Sequence, residues 1–136
     1  MRRSWVWLRL ASVAFVVLAV GHGSGMFEHP GGAGGDTVLT VMRVGTFEMM
    51  GVQRSYYAFY WGLGWCLTVN LILLAVLLWN MATRARTDAA SVRPMVVATF
   101  VASVALSVLS WVYFVPAPGI MSTLAALFLV AALLTG

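Results

Sequence analysis

Four long apolar segments constrain this chain more than any other feature of its sequence. None contains an acidic residue, and they cover residues 5–21, 59–81, 95–114 and 119–134. A helix needs about 20 apolar residues to cross roughly 30 Å of hydrocarbon. Because lipid offers no partner for backbone polar groups, each segment must be helical. The sequence therefore predicts an all-α integral membrane four-helix bundle, built as a single four-span domain over residues 1–136.

The scarcity of charge excludes a water-soluble domain. Of the 136 residues, 62% are hydrophobic and only 9% are charged, whereas a soluble domain carries roughly 25% charged residues. The net charge of +4 comes from arginines that flank the apolar segments. That placement indicates contact with a lipid bilayer and not with nucleic acid. Cys66 is the only cysteine, which excludes an intrachain disulfide and a cysteine-based zinc site.

The arginines are divided unevenly among the segments that connect the spans. They cluster before or within the first span and between the second and third spans: Arg2, Arg3, Arg9, Arg84, Arg86 and Arg93. The 22–56 loop holds Arg43 and Arg54, offset by three acids. The positive-inside rule then predicts a multi-pass protein of a bacterial inner membrane, with both termini cytoplasmic and the 22–56 loop outside.

The first apolar segment has a second interpretation as a cleavable signal peptide, since Arg2 and Arg3 precede it and small residues follow. Arg9 interrupts the apolar run and no A-x-A site follows it. These two features favour a retained span.

The outer loop divides into a glycine-rich part and an amphipathic part. Residues 37–50 place Val38, Val41, Met42, Gly45 and Met49 on one face at helical spacing, with Asp36 as a plausible N-cap. We expect a short extracytoplasmic amphipathic helix that lies on the membrane surface or folds back over the bundle.

An aromatic stretch, RSYYAFYWGLGW at residues 54–65, opens the second span. Rings at one depth around a helix are typical of an aromatic belt at the membrane interface. The same rings next to a fixed cation also fit the wall of a ligand pocket. The candidate ligand-binding residues at this outer face are Arg54, Tyr57, Tyr60, Trp61, Glu48 and His22. We further expect Arg54 to pair with Glu48 through a turn at Gly51.

Polar residues inside the spans are few. Asn70 lies near the middle of the second span, and Ser103 and Ser107 belong to a stripe of small polar residues on the third. Such residues usually support helix packing, so we expect Asn70 to hydrogen-bond across to the third span.

Signatures of enzymes and cofactors are lacking in the sequence. His22 and His29 bracket Glu28, but this spacing across glycines matches no known metal motif. No nucleophile-and-base signature, phosphate loop or redox motif is present. We therefore predict no metal and no cofactor.

The chain resembles a group of small four-span bacterial membrane proteins of unknown function. The resemblance rests on a Gly-His pair at the end of the first span and an R-S-aromatic-x-F-Y-x-G-x-G string opening the second. The matching positions are Gly21, His22, Arg54, Ser55, Phe59, Tyr60, Gly62 and Gly64. This resemblance implies a four-span fold and brings no activity with it.

The sequence favours a non-enzymatic role, as a small binding or accessory subunit in a homo-oligomer or a larger membrane complex. One alternative is an enzyme or redox-complex subunit that acts on an apolar substrate, a quinone or a lipid, at the outer membrane face. A small transporter is the third expectation, weakened because no acidic residue lies within the spans.

Overall fold

A computed structural model describes residues 3–28 and 34–136 of the chain. It is 83% helical, and four of its five helices are long and apolar enough to cross a membrane. The prediction of an all-α four-helix membrane bundle is confirmed. In chain order the elements are α1 (Ser4–Gly25), α2 (Gly35–Val44), β1 (Thr46–Met49), β2 (Val52–Ser55), α3 (Tyr56–Ala85), α4 (Ala89–Tyr113) and α5 (Pro116–Thr135).

The spanning helices begin before the predicted apolar segments, and capping residues set the starts of α3 and α4. Ser55 caps α3 by accepting a hydrogen bond from the Ala58 backbone N–H at 3.1 Å. The Asp88 carboxylate caps α4 in the same way through the Ser91 N–H. Pro116 begins α5 at a position where its missing N–H leaves no hydrogen bond unmade. Helices α3 and α4 therefore begin at a polar cap and not at the first apolar residue of the span.

The spanning helices lie in the spatial order α3–α1–α5–α4. Helix α1 packs extensively on α3 and α5, and α4 packs on α5, while α3 and α4 make few contacts with each other. We call the end at which α1 and α4 begin the arginine end, and the opposite end, which carries α2 and the two strands, the loop end.

Small residues and leucines form the core of the bundle. Leu8, Phe15, Leu78 and Leu129 are fully buried. Ser12, also buried, donates a hydrogen bond from Oγ to the Ala75 carbonyl at 2.7 Å and so ties α1 to α3. Large apolar side chains elsewhere on the four helices are exposed in the isolated chain. Exposed apolar side chains on spanning helices are expected where lipid is the solvent.

The polar residues of the spans do not all lie where the sequence predicted. Ser103 is buried and donates to the Thr99 carbonyl, and the hydroxyl of Ser107 is 2.7 Å from that of Thr123 on α5. The predicted hydrogen bond from Asn70 to the third span is not formed. Asn70 is exposed and donates to the Cys66 carbonyl of its own helix at 2.8 Å, not to α4. The physical reason is the helix order, which places α3 beside α1.

The segment between α1 and α3 differs most from expectation. The amphipathic helix is present but ends at Val44, not near Met50. Its N-cap is Gly34 in the left-handed region, and Asp36 lies in the first turn. Residues 46–55 form an antiparallel hairpin in which Phe47 lies opposite Arg54 and Glu48 opposite Gln53.

A tight turn closes this hairpin. Met50 and Gly51 both have positive φ, 54° and 76°. Two such residues between paired strands give the backbone twist that a two-residue hairpin loop requires.

Candidate functional site

A cleft of about 630 Å³ opens at the loop end of the bundle. The end of α1, the helix α2 and the first turns of α3 form its walls. Its apolar and aromatic lining includes Met26, Phe27, Leu39, Met42, Tyr57, Tyr60 and Trp61. Pockets for small organic ligands usually measure about 300–1,000 Å³ and are mostly apolar. The cleft is therefore large enough for such a ligand.

A second cavity at the arginine end is much smaller, about 170 Å³. It lies between α1, α4 and α5, and Ser4 and Arg93 are the polar side chains of its lining. This volume is below the range of organic-ligand pockets, which leaves the loop-end cleft as the better candidate site.

Aromatic rings in edge-on and tilted contact form the floor of the cleft. The ring of Phe27 meets the rings of Trp61 and Trp65 edge-on, at centroid distances of 5.5 and 5.8 Å. Trp61 also lies 6.0 Å from Tyr57 and 6.1 Å from Trp65. Aromatic pairs at these distances contribute about 0.5–1.5 kcal/mol each beyond the area that they bury. The floor is thus held by several pairs that share Trp61.

A glycine on α3 determines where the end of α1 can lie. The Sδ and Cε atoms of Met26 occupy the space in which Gly64 would otherwise carry a Cβ. This close approach brings the neighbouring Phe27 onto the two tryptophans. Gly62, two residues earlier, has no atom within 4 Å of the corresponding position. Of the two glycines, only Gly64 shapes the cleft.

The cation of the cleft is Arg43 of α2. Its guanidinium carbon lies 4.9 Å from the centroid of the Tyr57 ring. Arg43 is in the last turn of α2, where a positive charge interacts favourably with the helix dipole. Glu28 lines the same cleft and is exposed. The cleft therefore combines apolar rings with one arginine and one carboxylate.

Arg54 and Glu48 do not pair as the sequence suggested. Successive residues of a strand point to opposite faces, and the hairpin register places Glu48 and Arg54 on different faces. Arg54 instead donates to the Gln53 carbonyl at 2.9 Å and is exposed. Neither residue lines the cleft. The pairing prediction was wrong because it assumed a helix followed by a turn, where the chain forms two paired strands.

The hairpin is held to α3 by a second aromatic group. Phe47 lies 5.2 Å from the ring of Tyr56 and 5.4 Å from that of Phe59. The Tyr56 backbone N–H also donates to the Gly45 carbonyl at 3.1 Å. These contacts place the hairpin beside the start of α3, outside the cleft.

His22 joins α1 to α3 below the cleft. Its Nδ1 lies 2.9 Å from the Thr68 hydroxyl oxygen, and that hydroxyl also donates to the Gly64 carbonyl at 3.2 Å. The hydrogen bond between the two side chains ties the end of α1 to α3. His22 does not line the cleft, and its contact is one between helices.

Metal ligands do not converge in the described part of the chain: no three His, Cys, Asp or Glu side chains there come together. His29, a candidate ligand by its residue type, lies outside the described residues.

The structure thus brings together three of the six predicted site residues, Tyr57, Tyr60 and Trp61. Sequence reasoning missed Met26, Phe27 and Arg43. For Arg43 a signal was available, since Leu39, Met42 and Arg43 are spaced i, i+3, i+4 and share one face of α2. For Met26 and Phe27 no signal was available, because their role depends on the close approach at Gly64.

No protein-family model, curated protein or solved structure matches this chain. The resemblance to small four-span bacterial proteins therefore stays a prediction.

Proposed function

We propose that this protein is a small non-enzymatic binding subunit of a membrane, and that its loop-end cleft holds an amphipathic ligand. The observation that carries the proposal is the cleft itself, with Tyr57, Tyr60 and Trp61 on one wall and Arg43 at its edge. The apolar part of the ligand lies against the rings. Its polar or anionic head lies near Arg43.

The shape of the lining supports a ligand with a flat or chain-like apolar part. The edges and faces of several rings are available in one cleft, and aromatic side chains offer large contact areas at low entropic cost. Leu39 and Met42, on the opposite wall, are half-buried. A methionine adapts its shape to different apolar surfaces.

The charge of the lining supports a polar head group. An arginine keeps its charge at physiological pH and can bind a carboxylate or phosphate through two parallel hydrogen bonds. Contact with the Tyr57 ring holds the guanidinium of Arg43 at the cleft. A head group bound there would lie at the membrane interface, where amphipathic molecules place their polar parts.

Orientation is part of the same proposal. Arginines concentrate at the arginine end, and the positive-inside rule then places that end in the cytoplasm of a bacterial cell and the cleft on the outer face of the inner membrane. Reporter fusions placed after Gly136 test this orientation. Activity of a periplasm-specific reporter at that position would reverse it.

The alternative is a subunit of an enzyme or redox complex that acts on a quinone or lipid in the same cleft. One observation favours it: Glu28 lines the cleft and offers a carboxylate that can exchange protons with a bound quinone. The two hypotheses differ in whether the bound species is changed chemically.

The test is the identity of the molecules that copurify with the protein. Protein extracted in mild detergent is analysed by mass spectrometry, and each species is compared with its share of the bulk membrane lipid. We expect one amphipathic species to be enriched. Trp61→Ala should reduce that enrichment roughly tenfold, since a lost aromatic contact of about 1–1.5 kcal/mol corresponds to that factor.

Tyr113→Ala is the matched control. Tyr113 is also at the loop end and is 73% exposed, but it does not line the cleft. It should leave the enrichment unchanged. Bulk lipid alone in the wild-type sample, or equal losses in both variants, would show that the rings act as a belt and not as a binding site.

A further inference from the structure

Two arginines and two tryptophans form a cluster between α1 and α3 at the arginine end. The guanidinium carbon of Arg9 lies 5.3 Å from the ring centroid of Trp5 and 4.5 Å from that of Trp79. The guanidinium carbon of Arg86 lies 4.4 Å from the ring centroid of Trp5. Two positive charges therefore share one tryptophan. We call these four residues the arginine–tryptophan cluster.

The position of Arg9 makes an uncompensated charge costly. Arg9 lies five residues into α1, which is about 7–8 Å along the helix axis at 1.5 Å per residue. Its Nε is buried and has no hydrogen-bond partner in the described part of the chain. A ring face attracts the charge but cannot accept all five N–H donors of a guanidinium. Arg9 therefore needs a further acceptor.

The protein itself offers few acids for this purpose. Glu28, Asp36 and Glu48 all belong to the segment at the loop end. Asp88 is the acidic residue at the arginine end, and its carboxylate accepts a hydrogen bond from the Ser91 backbone N–H to cap α4. In the described part of the chain no carboxylate pairs with the cluster, so an anion from outside the chain can compensate its charge.

The surroundings of the cluster indicate what kind of anion this is. Residues four positions apart on a helix share a face, so Val13 lies on the same face as Arg9, one turn deeper. Val76 lies three residues, close to one turn, deeper than Trp79, and residues three apart also share a face. Both valines are about half exposed, 50% and 52%. An anion bound at the cluster would thus have apolar surface beneath it, on the side toward the membrane centre.

We infer that the arginine–tryptophan cluster binds the phosphate of an anionic phospholipid. The guanidinium groups of Arg9 and Arg86 donate to the phosphate oxygens, and the acyl chains lie along the exposed valines. Guanidinium groups bind phosphate well because their N–H donors match the spacing of its oxygens. This site lies at the opposite end of the bundle from the cleft and does not depend on the function proposed for it.

The test measures lipid binding to the full chain by native mass spectrometry from detergent micelles. Phosphatidylglycerol is titrated against phosphatidylcholine. We expect phosphatidylglycerol to bind more tightly. Arg9→Gln and Arg86→Gln should each weaken it roughly tenfold, as expected for the loss of hydrogen bonds to a charged group.

Arg84→Gln is the matched control, because Arg84 is exposed and lies in the last turn of the same helix as Trp79. It should leave the preference within about twofold, since an exposed charge that makes no defined contact contributes little. Arg86→Gln changes an exposed residue beyond the end of α3, so it keeps the test valid if the Arg9 variant fails to fold.

Three results would overturn the inference. One is equal affinity for the two lipids. Another is equal loss in the Arg84 and Arg86 variants, which would indicate general attraction to charge. The last is displacement of the lipid by millimolar inorganic phosphate, which would identify a soluble anion as the ligand.

Discussion

At the loop end of the bundle Trp61 and Trp65 lie against other rings, whereas at the arginine end Trp5 and Trp79 lie against guanidinium groups. Trp61 contacts Phe27, Tyr57 and Trp65. Trp79 and Trp5 contact Arg9, and Trp5 also contacts Arg86. Both sets sit where an aromatic belt is expected. Ring–ring contacts shape a wall and leave no charge to neutralise, whereas ring–cation contacts hold charges in place that still require an anion.

The two ends should therefore respond differently to the loss of a tryptophan. Trp61→Ala removes three ring pairs and should lower the free energy of unfolding by about 1.5–4.5 kcal/mol, at about 0.5–1.5 kcal/mol per pair. Trp79→Ala removes one contact with a cation and should cost about 1 kcal/mol. Unfolding by SDS in mixed micelles measures both. Equal losses would contradict the difference drawn between the two ends.

A glycine pair at the loop end tests how tightly its wall is packed. Gly64→Ala displaces the flexible end of the Met26 side chain and should cost up to about 1 kcal/mol, since that end can move away more easily than a ring or backbone. Gly62→Ala meets no neighbour and should be neutral or stabilising by up to about 1 kcal/mol through helix propensity. The same unfolding assay applies. If Gly62→Ala also lowered the free energy of unfolding, the loss in Gly64→Ala would reflect a general effect of alanine in this helix and not the Met26 contact.

The hairpin at the loop end contains a strained residue that can be relieved. Met50 has φ of 54°, a conformation that costs a residue with a side chain about 1–2 kcal/mol and that asparagine tolerates better. Met50→Asn should stabilise the hairpin by about 1 kcal/mol. Slower amide exchange over residues 46–55 would report this. Faster exchange would mean that the Met50 side chain makes a contact that matters more than its backbone.

The smallest effect is expected for Glu48 and Arg54. Because they lie on opposite faces of the hairpin, Glu48→Ala and Arg54→Ala should have additive effects on hairpin stability, with a coupling below about 0.5 kcal/mol. Amide exchange of the two single variants and the double variant gives the coupling. A coupling of 1 kcal/mol or more, of the size seen for residues in contact, would restore the ion pair that the sequence suggested.

The spans could be predicted from the sequence because long apolar runs admit one solution in lipid. The hairpin could not, since its four-residue strands are short and its turn uses Met50-Gly51 in place of the usual Asn-Gly or Asp-Gly. In addition, the helical spacing of apolar residues that begins at Val38 continues by coincidence to Met49. It therefore predicted a longer helix than α2, which ends at Val44.

The partners of the polar residues depended on helix order, which the sequence does not specify. The stripe of small polar residues on the third span indicated that span as the partner of Asn70. In the structure α3 packs chiefly on α1. The rings of the candidate site were found from sequence because they are adjacent there, whereas Phe27 and Arg43 reach the site only through tertiary packing.

The helix order also has a consequence for biosynthesis. Helix α4 is made before α5, yet α5 is its main packing partner, so α4 enters the bilayer before that partner exists. Two of its polar side chains need no partner helix, since Thr99 and Ser103 donate to the Met95 and Thr99 carbonyls of α4 itself, both at 2.8 Å. A spanning helix whose hydroxyl groups donate to its own backbone carbonyls can lie in lipid without a neighbouring helix. The hydrogen bond between Ser107 and Thr123 then forms only when the last helix docks.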